Sequence, residues 1–124
     1  NHNSLNRLVL YCCTSSYPCK FDDVCLLEIN RIKDNYHYIK DFGFSGHHLG
    51  IAIDIASYAL GANWIERHFT LDRTFKGTDH IASLEPTGLR KLCRDLNATY
   101  QSLSNKERDI LECEVSQRKK LKHI

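Results

Sequence analysis

Three short apolar stretches, each running into a knot of polar residues and each followed by a helical period, restrict this chain to a parallel-sheet architecture. Leu8 to Cys13 (LVLYCC) and Trp64 to Thr70 (WIERHFT) read as buried strands, and Lys40 to Ser45 (KDFGFS), split by Gly43, reads as a weaker third between them. After the first, Asp22 or Asp23 is expected to cap a helix in which Val24, Leu27, Ile29 and Ile32 recur at roughly helical spacing. An apolar helix from about Leu49 through Ala59 follows the second, with Gly61 as its stop. Glu85-Pro86 opens another, continuing through Leu89, Leu92, Leu96 and Tyr100, because Pro suits a first helical turn. The order β-α-β-α-β-α implies right-handed crossovers and an α/β fold, either a doubly wound sheet or part of a (β/α)8 barrel. Three units cannot close a barrel, which takes ~250 residues.

Composition removes several other classes. The 124 residues are 42% hydrophobic and 26% charged, enough for a core. No apolar run approaches the ~18 to 20 residues that cross a bilayer, and Asn1 to Leu10 lacks the pattern of a secretory signal, so a cytoplasmic protein without membrane contact is expected. The net charge of +2 has its local excess in Arg118, Lys119, Lys120, Lys122 and His123, a solvated tail rather than a nucleic-acid arm. Cys12, Cys13, Cys19, Cys25, Cys93 and Cys113 contain no CxxC pair and no regular spacing, so reduced thiols are expected, with neither a disulfide framework nor a zinc ribbon. After Leu103 the periodicity fades. Residues 1–103 therefore read as one domain and Ser104 to Ile124 as a linker or tail. A first residue other than Met, and a pattern entered partway, lead to the expectation of a fragment.

The chemistry gathers where strands end. In parallel α/β folds reactive groups lie at the C-terminal ends of the strands. Here those ends carry Thr14-Ser15-Ser16-Tyr17-Pro18, then Ser45-Gly46-His47-His48, then Glu66-Arg67-His68 before a loop with Asp79-His80. His47 and His68 fall at that end of adjacent strands, where two neutral imidazoles suit a divalent transition metal. The competing reading puts His68 in a hydrogen-bonded core and His47 in a solvated turn. Gly46 and Gly50 allow either a sharp turn or a close approach to an anion, and Ser15 and Ser45 either cap helices or donate to a phosphate or carboxylate.

Taken together, these stretches resemble the sialic acid synthase family, whose barrel carries a (C)T-x-x-YP segment, an FS(G/D)H segment, an ERHFTLD segment and a GxDHxASLEP run. This chain has Cys13-Thr14-Ser15-Ser16-Tyr17-Pro18, Gly43-Phe44-Ser45-Gly46-His47, Ile65 to Asp72 as IERHFTLD, and Gly77 to Pro86 as GTDHIASLEP. The motifs stand in the family's order and cover about residues 8 to 122. The resemblance implies a partial (β/α)8 barrel of about three C-terminal units, with residues 104–124 leading toward an antifreeze-like domain. It implies a divalent metal, Mn2+ or Mg2+, on His47 and His68, with Glu66 and His68 catalytic. Ser15 and Ser45 then match contacts to phosphoenolpyruvate, and Tyr17 and Asp79 match contacts to an N-acyl hexosamine. The implied reaction condenses those substrates in a homodimeric full-length enzyme. Alternatives are a legionaminate or pseudaminate synthase, a metal-dependent aldolase using pyruvate, and a non-catalytic metal- or sugar-binding module. The lysines that hold phosphoenolpyruvate in the family would come from preceding strands.

Overall fold

The computed structural model describes Leu5 and residues 7–122. Three parallel strands, β1 (Val9–Cys13), β2 (Asp41–Gly46) and β3 (Trp64–Arg67), form one sheet in the order β1-β2-β3. The helices between and after them are α1 (Glu28–Asn35), α2 (Ala52–Ala59), α3 (Pro86–Ser102) and α4 (Val115–Leu121). The register assigns every side chain to a face. Cys12 pairs with Phe44, and Phe44 with Ile65, so these three form a row on the helix-covered face, where the core joins them to Cys19, Val24, Ile29 and Ala62. Phe44 and Ile29 are each 2% exposed. Burial of side chains this size is worth about 1.5–3 kcal/mol apiece, which makes this layer the main anchor of the sheet. The opposite face carries the row Cys13, Ser45 and Glu66, one residue from each strand.

β1 and β3 lie within the stretches expected to form them, β2 runs one residue past its stretch to Gly46, and α3 starts at Pro86 as its sequence suggests. Two helix starts differ. Asp22 and Asp23 do not cap a helix; they belong to a 3-10 turn, Phe21–Asp23, and the helix begins only at Glu28. Thr14 Oγ1 donates to the Asp23 carbonyl at 3.0 Å, tying the segment to the β1 end, and Cys25 takes a left-handed φ of 49° that no helix can pass through. The second helix starts at Ala52 rather than Leu49, because Gly50 sits at φ 79°. Gly61 stops it as expected, its N–H donating to the Tyr58 carbonyl.

The polar C-terminal stretch, read as a linker or tail, holds two short helical elements. A 3-10 turn at Glu112–Glu114 leads into α4, and the Glu114 carboxylate accepts from Leu111 N at 2.7 Å and from Lys106 Nζ at 3.0 Å. Its basic residues Arg118, Lys119, Lys120 and Lys122 are exposed, in keeping with a solvated face, while His123, Ile124 and Asn1 lie outside the described residues. All six cysteines are free. Burial raises the Cys12 and Cys19 thiols above their ordinary pKa, which keeps them protonated. No described helix is long and apolar enough to cross a membrane.

Candidate active site

The C-terminal ends of the three strands bring the polar motifs into one cluster. His47 follows β2 directly and is 4% exposed, so it does not occupy a solvated turn. Its Nδ1 lies 2.8 Å from the Thr14 carbonyl at the end of β1. A carbonyl only accepts, so Nδ1 carries the proton and, in the neutral ring, Nε2 carries the lone pair. The turn is held from both sides, since Cys19 N donates to the His47 carbonyl at 2.9 Å.

His68, one residue past β3, has its ring centroid 5.3 Å from that of His47, with the planes 64° apart. Tyr17 covers both: its ring centroid is 4.3 Å from His47 and 5.6 Å from His68. Asp79 arrives from the loop after β3, with Oδ2 at 3.8 Å from His68 Nδ1, while Thr78 Oγ1 donates to Oδ1 at 2.9 Å. That loop is folded back on the strand. Leu84 N donates to the His68 carbonyl at 2.8 Å, Thr70 N donates to the Leu84 carbonyl at 3.0 Å, and Phe69 bridges Leu84 in parallel. Inside the loop Thr70 Oγ1 is 2.8 Å from His80 Nδ1, and Asp72 Oδ1 accepts from both Thr74 N and Thr74 Oγ1. Those two hydrogen bonds hold the Asp72 carboxyl below its ordinary pKa.

Next to this group, Ser45 Oγ donates to Glu66 Oε1 at 2.8 Å across the β2–β3 pair. Ser45 thus offers an anion its oxygen rather than its proton, unless the hydroxyl rotates away from Glu66. Ser15 is exposed on the loop after β1, 4.0 Å from Cys13 Sγ. Tyr17, His47, His68 and Asp79 therefore form one contact set, Ser45 and Glu66 a second beside it, and Ser15 stands at the rim. Gly46 is needed for close packing, because a Cβ there would meet His48 Cε1 at 2.8 Å and Asp54 Oδ1 at 3.0 Å. Gly50 shapes the turn into α2 and faces open space.

The donor set suits a divalent cation. One imidazole is fixed through Nδ1 to a carbonyl, the arrangement that presents Nε2 as a ligand in metal sites generally. Among the described residues no three of His, Cys, Asp and Glu are grouped to enclose a metal, so two imidazoles would leave the remaining positions to water or substrate oxygens.

Sequence reasoning missed the polar network on the other face of the sheet. Arg67 and Asp54 form an ion pair at 2.6 Å with side chains only 3% and 0% exposed, and His48 Nε2 lies 3.4 Å from the same carboxylate. The signal was there: Asp54 is a lone acid inside the apolar run Leu49 to Ala59. A charge at such a position is buried only with a partner.

The chain is similar to several known proteins. The N-acetylneuraminate-9-phosphate synthase of Homo sapiens is 44% identical over 109 residues, covering 88% of this chain and 30% of the human protein. The N,N'-diacetyllegionaminic acid synthase of Campylobacter jejuni is 41% identical over 99 residues, 80% of this chain and 29% of that protein. The chain thus spans about 30% of the length of these relatives. Among solved structures, the N-acetylneuraminic acid synthetase of Leptospira borgpetersenii superposes with a TM-score of 0.73 at 32% identity, over 94% of this chain and 40% of that one. Residues 1–108 match the NeuB family, and the chain belongs to that family.

Proposed function

We propose that the protein carrying this chain condenses phosphoenolpyruvate with an N-acyl hexosamine, N-acetylmannosamine or its 6-phosphate, to give a nonulosonic acid and inorganic phosphate. The three strands would form part of a (β/α)8 barrel wall, with the cluster at its mouth. The observation that supports this reading is the pairing of His47 and His68 at 5.3 Å under Tyr17, with the lone pair of His47 left on Nε2. Mn2+ or Mg2+ held by these two imidazoles would supply Lewis-acid polarisation of the sugar aldehyde. Tyr17 and Asp79 would hydrogen-bond the sugar hydroxyls and hold the aldehyde in line, where an error of ~1 Å is costly. Ser15 would contact the phosphate or carboxylate of phosphoenolpyruvate, and Ser45 would join it by turning its hydroxyl from Glu66 to the anion. Carbon 3 of phosphoenolpyruvate forms the new bond to the aldehyde carbon, water adds at carbon 2, and the C–O bond to phosphate breaks. Glu66, beside Ser45 and released when that hydroxyl turns to the anion, is suited to orient that water and accept its proton.

Phosphate release by the full-length protein, measured with phosphoenolpyruvate, Mn2+ and either N-acetylmannosamine or its 6-phosphate, tests the reading. Turnover that depends on phosphoenolpyruvate supports it. Sugar consumed with pyruvate in place of phosphoenolpyruvate, without phosphate release, would make the protein an aldolase, and binding of sugar without turnover would make it a non-catalytic module. A diamino hexosamine belongs in the same assay, because relatives named for N-acetylneuraminate-9-phosphate and for N,N'-diacetyllegionaminic acid stand at 44% and 41% identity.

A further inference from the structure

Arg67 directly precedes His68, yet its side chain leaves the sheet on the face opposite Glu66 and enters the network around α2. Nη1 donates to Asp54 Oδ2 at 2.6 Å and to the Gly50 carbonyl at 2.8 Å. Nη2 donates to the His48 carbonyl at 2.8 Å and to the Ala82 carbonyl at 3.1 Å. One guanidinium therefore joins the turn that follows His47, the first helical residues after it, and the loop that carries Asp79. Each joined segment is a near neighbour in sequence of a residue in the site: His48 follows His47, Arg67 precedes His68, and Ala82 lies three residues beyond Asp79. The planar fork fixes directions as well as distances, which a lysine ammonium cannot do. Asp54, 0% exposed, holds the fork in place from α2.

We infer that Arg67 is a positioning residue that sets the separation of His47 and His68 for a divalent cation, acting from the far side of the sheet without touching the ion or the substrates. The inference rests on the metal reading above. It is tested on the full-length protein by titrating Mn2+ and following the free ion by electron paramagnetic resonance, with thermal unfolding of the metal-free protein recorded in parallel. Arg67→Lys is expected to bind Mn2+ about 10- to 100-fold more weakly, the range that follows loss of a group orienting a ligand. Asp54→Asn, which keeps the guanidinium but weakens its anchor, is expected to lose affinity in the same direction by a smaller factor, and it decides the question should Arg67→Lys fail to fold. Leu92→Ala, a buried core change in α3, serves as control: it should lower the unfolding temperature and leave Mn2+ affinity unchanged. Wild-type affinity in folded Arg67→Lys, or in Asp54→Asn where that variant decides, or an equal loss in Leu92→Ala, overturns the inference alone. A protein that binds no Mn2+, or whose affinity survives both His47→Ala and His68→Ala, overturns the metal reading and this inference with it.

Discussion

Adjacent histidines in this chain have opposite environments, and the difference predicts opposite failures. His47 faces the cluster under Tyr17, whereas His48 is 0% exposed, packed 5.8 Å from the Phe44 ring centroid and 3.4 Å from Asp54 Oδ2. His48→Ala should therefore act through the fold, costing about 1–3 kcal/mol of stability, with a much smaller loss of Mn2+ affinity than His68→Ala. His68→Ala should keep the unfolding temperature and lose metal by more than the ~100-fold expected for an outer partner. Paired calorimetry and metal titration on the two variants check this, and identical profiles would contradict it. Asp79 is a separate case, because a carboxylate accepts from sugar hydroxyls and repels a trianion. Asp79→Asn should raise the KM for the sugar more than that for phosphoenolpyruvate, as initial-rate measurements with each substrate varied would reveal. The pairing of His47 with His68 was open to inspection in the sequence because both fall toward the C-terminal ends of adjacent strand-like stretches. The tautomer of His47 was not, since its partner is a main-chain carbonyl at Thr14, far away in the chain.

At the level of elements, the strands were legible because an apolar run bounded by polar turns has few other uses, and α3 because Pro86 marks a first turn. The start of α1 was not, because a left-handed Cys25 and the hydrogen bond from Thr14 to Asp23 are tertiary facts with no local signature. The same holds for the Arg67 network, where Asp54 hinted at a buried charge but nothing local named its partner. Removing one side of such a pair, as in Asp54→Ala, should destabilise by about 3–5 kcal/mol, measurable by urea unfolding. The loop after β3 offers a pH test. Thr74 lowers the pKa of Asp72, so the order this carboxylate gives the loop is complete above the ordinary aspartate pKa of 3.8 and is lost as pH falls through the lower folded value. The Thr74 amide resonance should accordingly titrate with a midpoint below 3.8, and a midpoint above it would contradict the hydrogen bonds seen here.

For the whole molecule, the decisive feature is how differently the two faces of the sheet are served. On the helix side Cys12, Phe44, Ile29 and Ala62 close a core, while on the other side Trp64 is 51% exposed and Cys13 and Glu66 are exposed to either side of a buried Ser45. β1 and β3 each pair with β2 alone among these strands, leaving main-chain groups on two edges free to recruit other strands. Phe69 and Leu71, 53% and 73% exposed beside the site, add apolar surface. A site made of two imidazoles, a tyrosine and carboxylates also has few positive charges at hand: Arg67, the nearest cation in sequence, is buried in its pair with Asp54. Phosphoenolpyruvate carries several negative charges and needs cationic partners that this cluster lacks, which the proposed barrel would supply from other strands. The 124-residue chain expressed alone should therefore self-associate, seen as oligomers by light scattering, and release no phosphate from phosphoenolpyruvate with N-acetylmannosamine and Mn2+. Restoring the longer protein should restore both monodispersity and turnover. Robust turnover by the isolated chain would mean that the anion is held by groups already on these three strands, and that the need for further barrel wall has been misjudged.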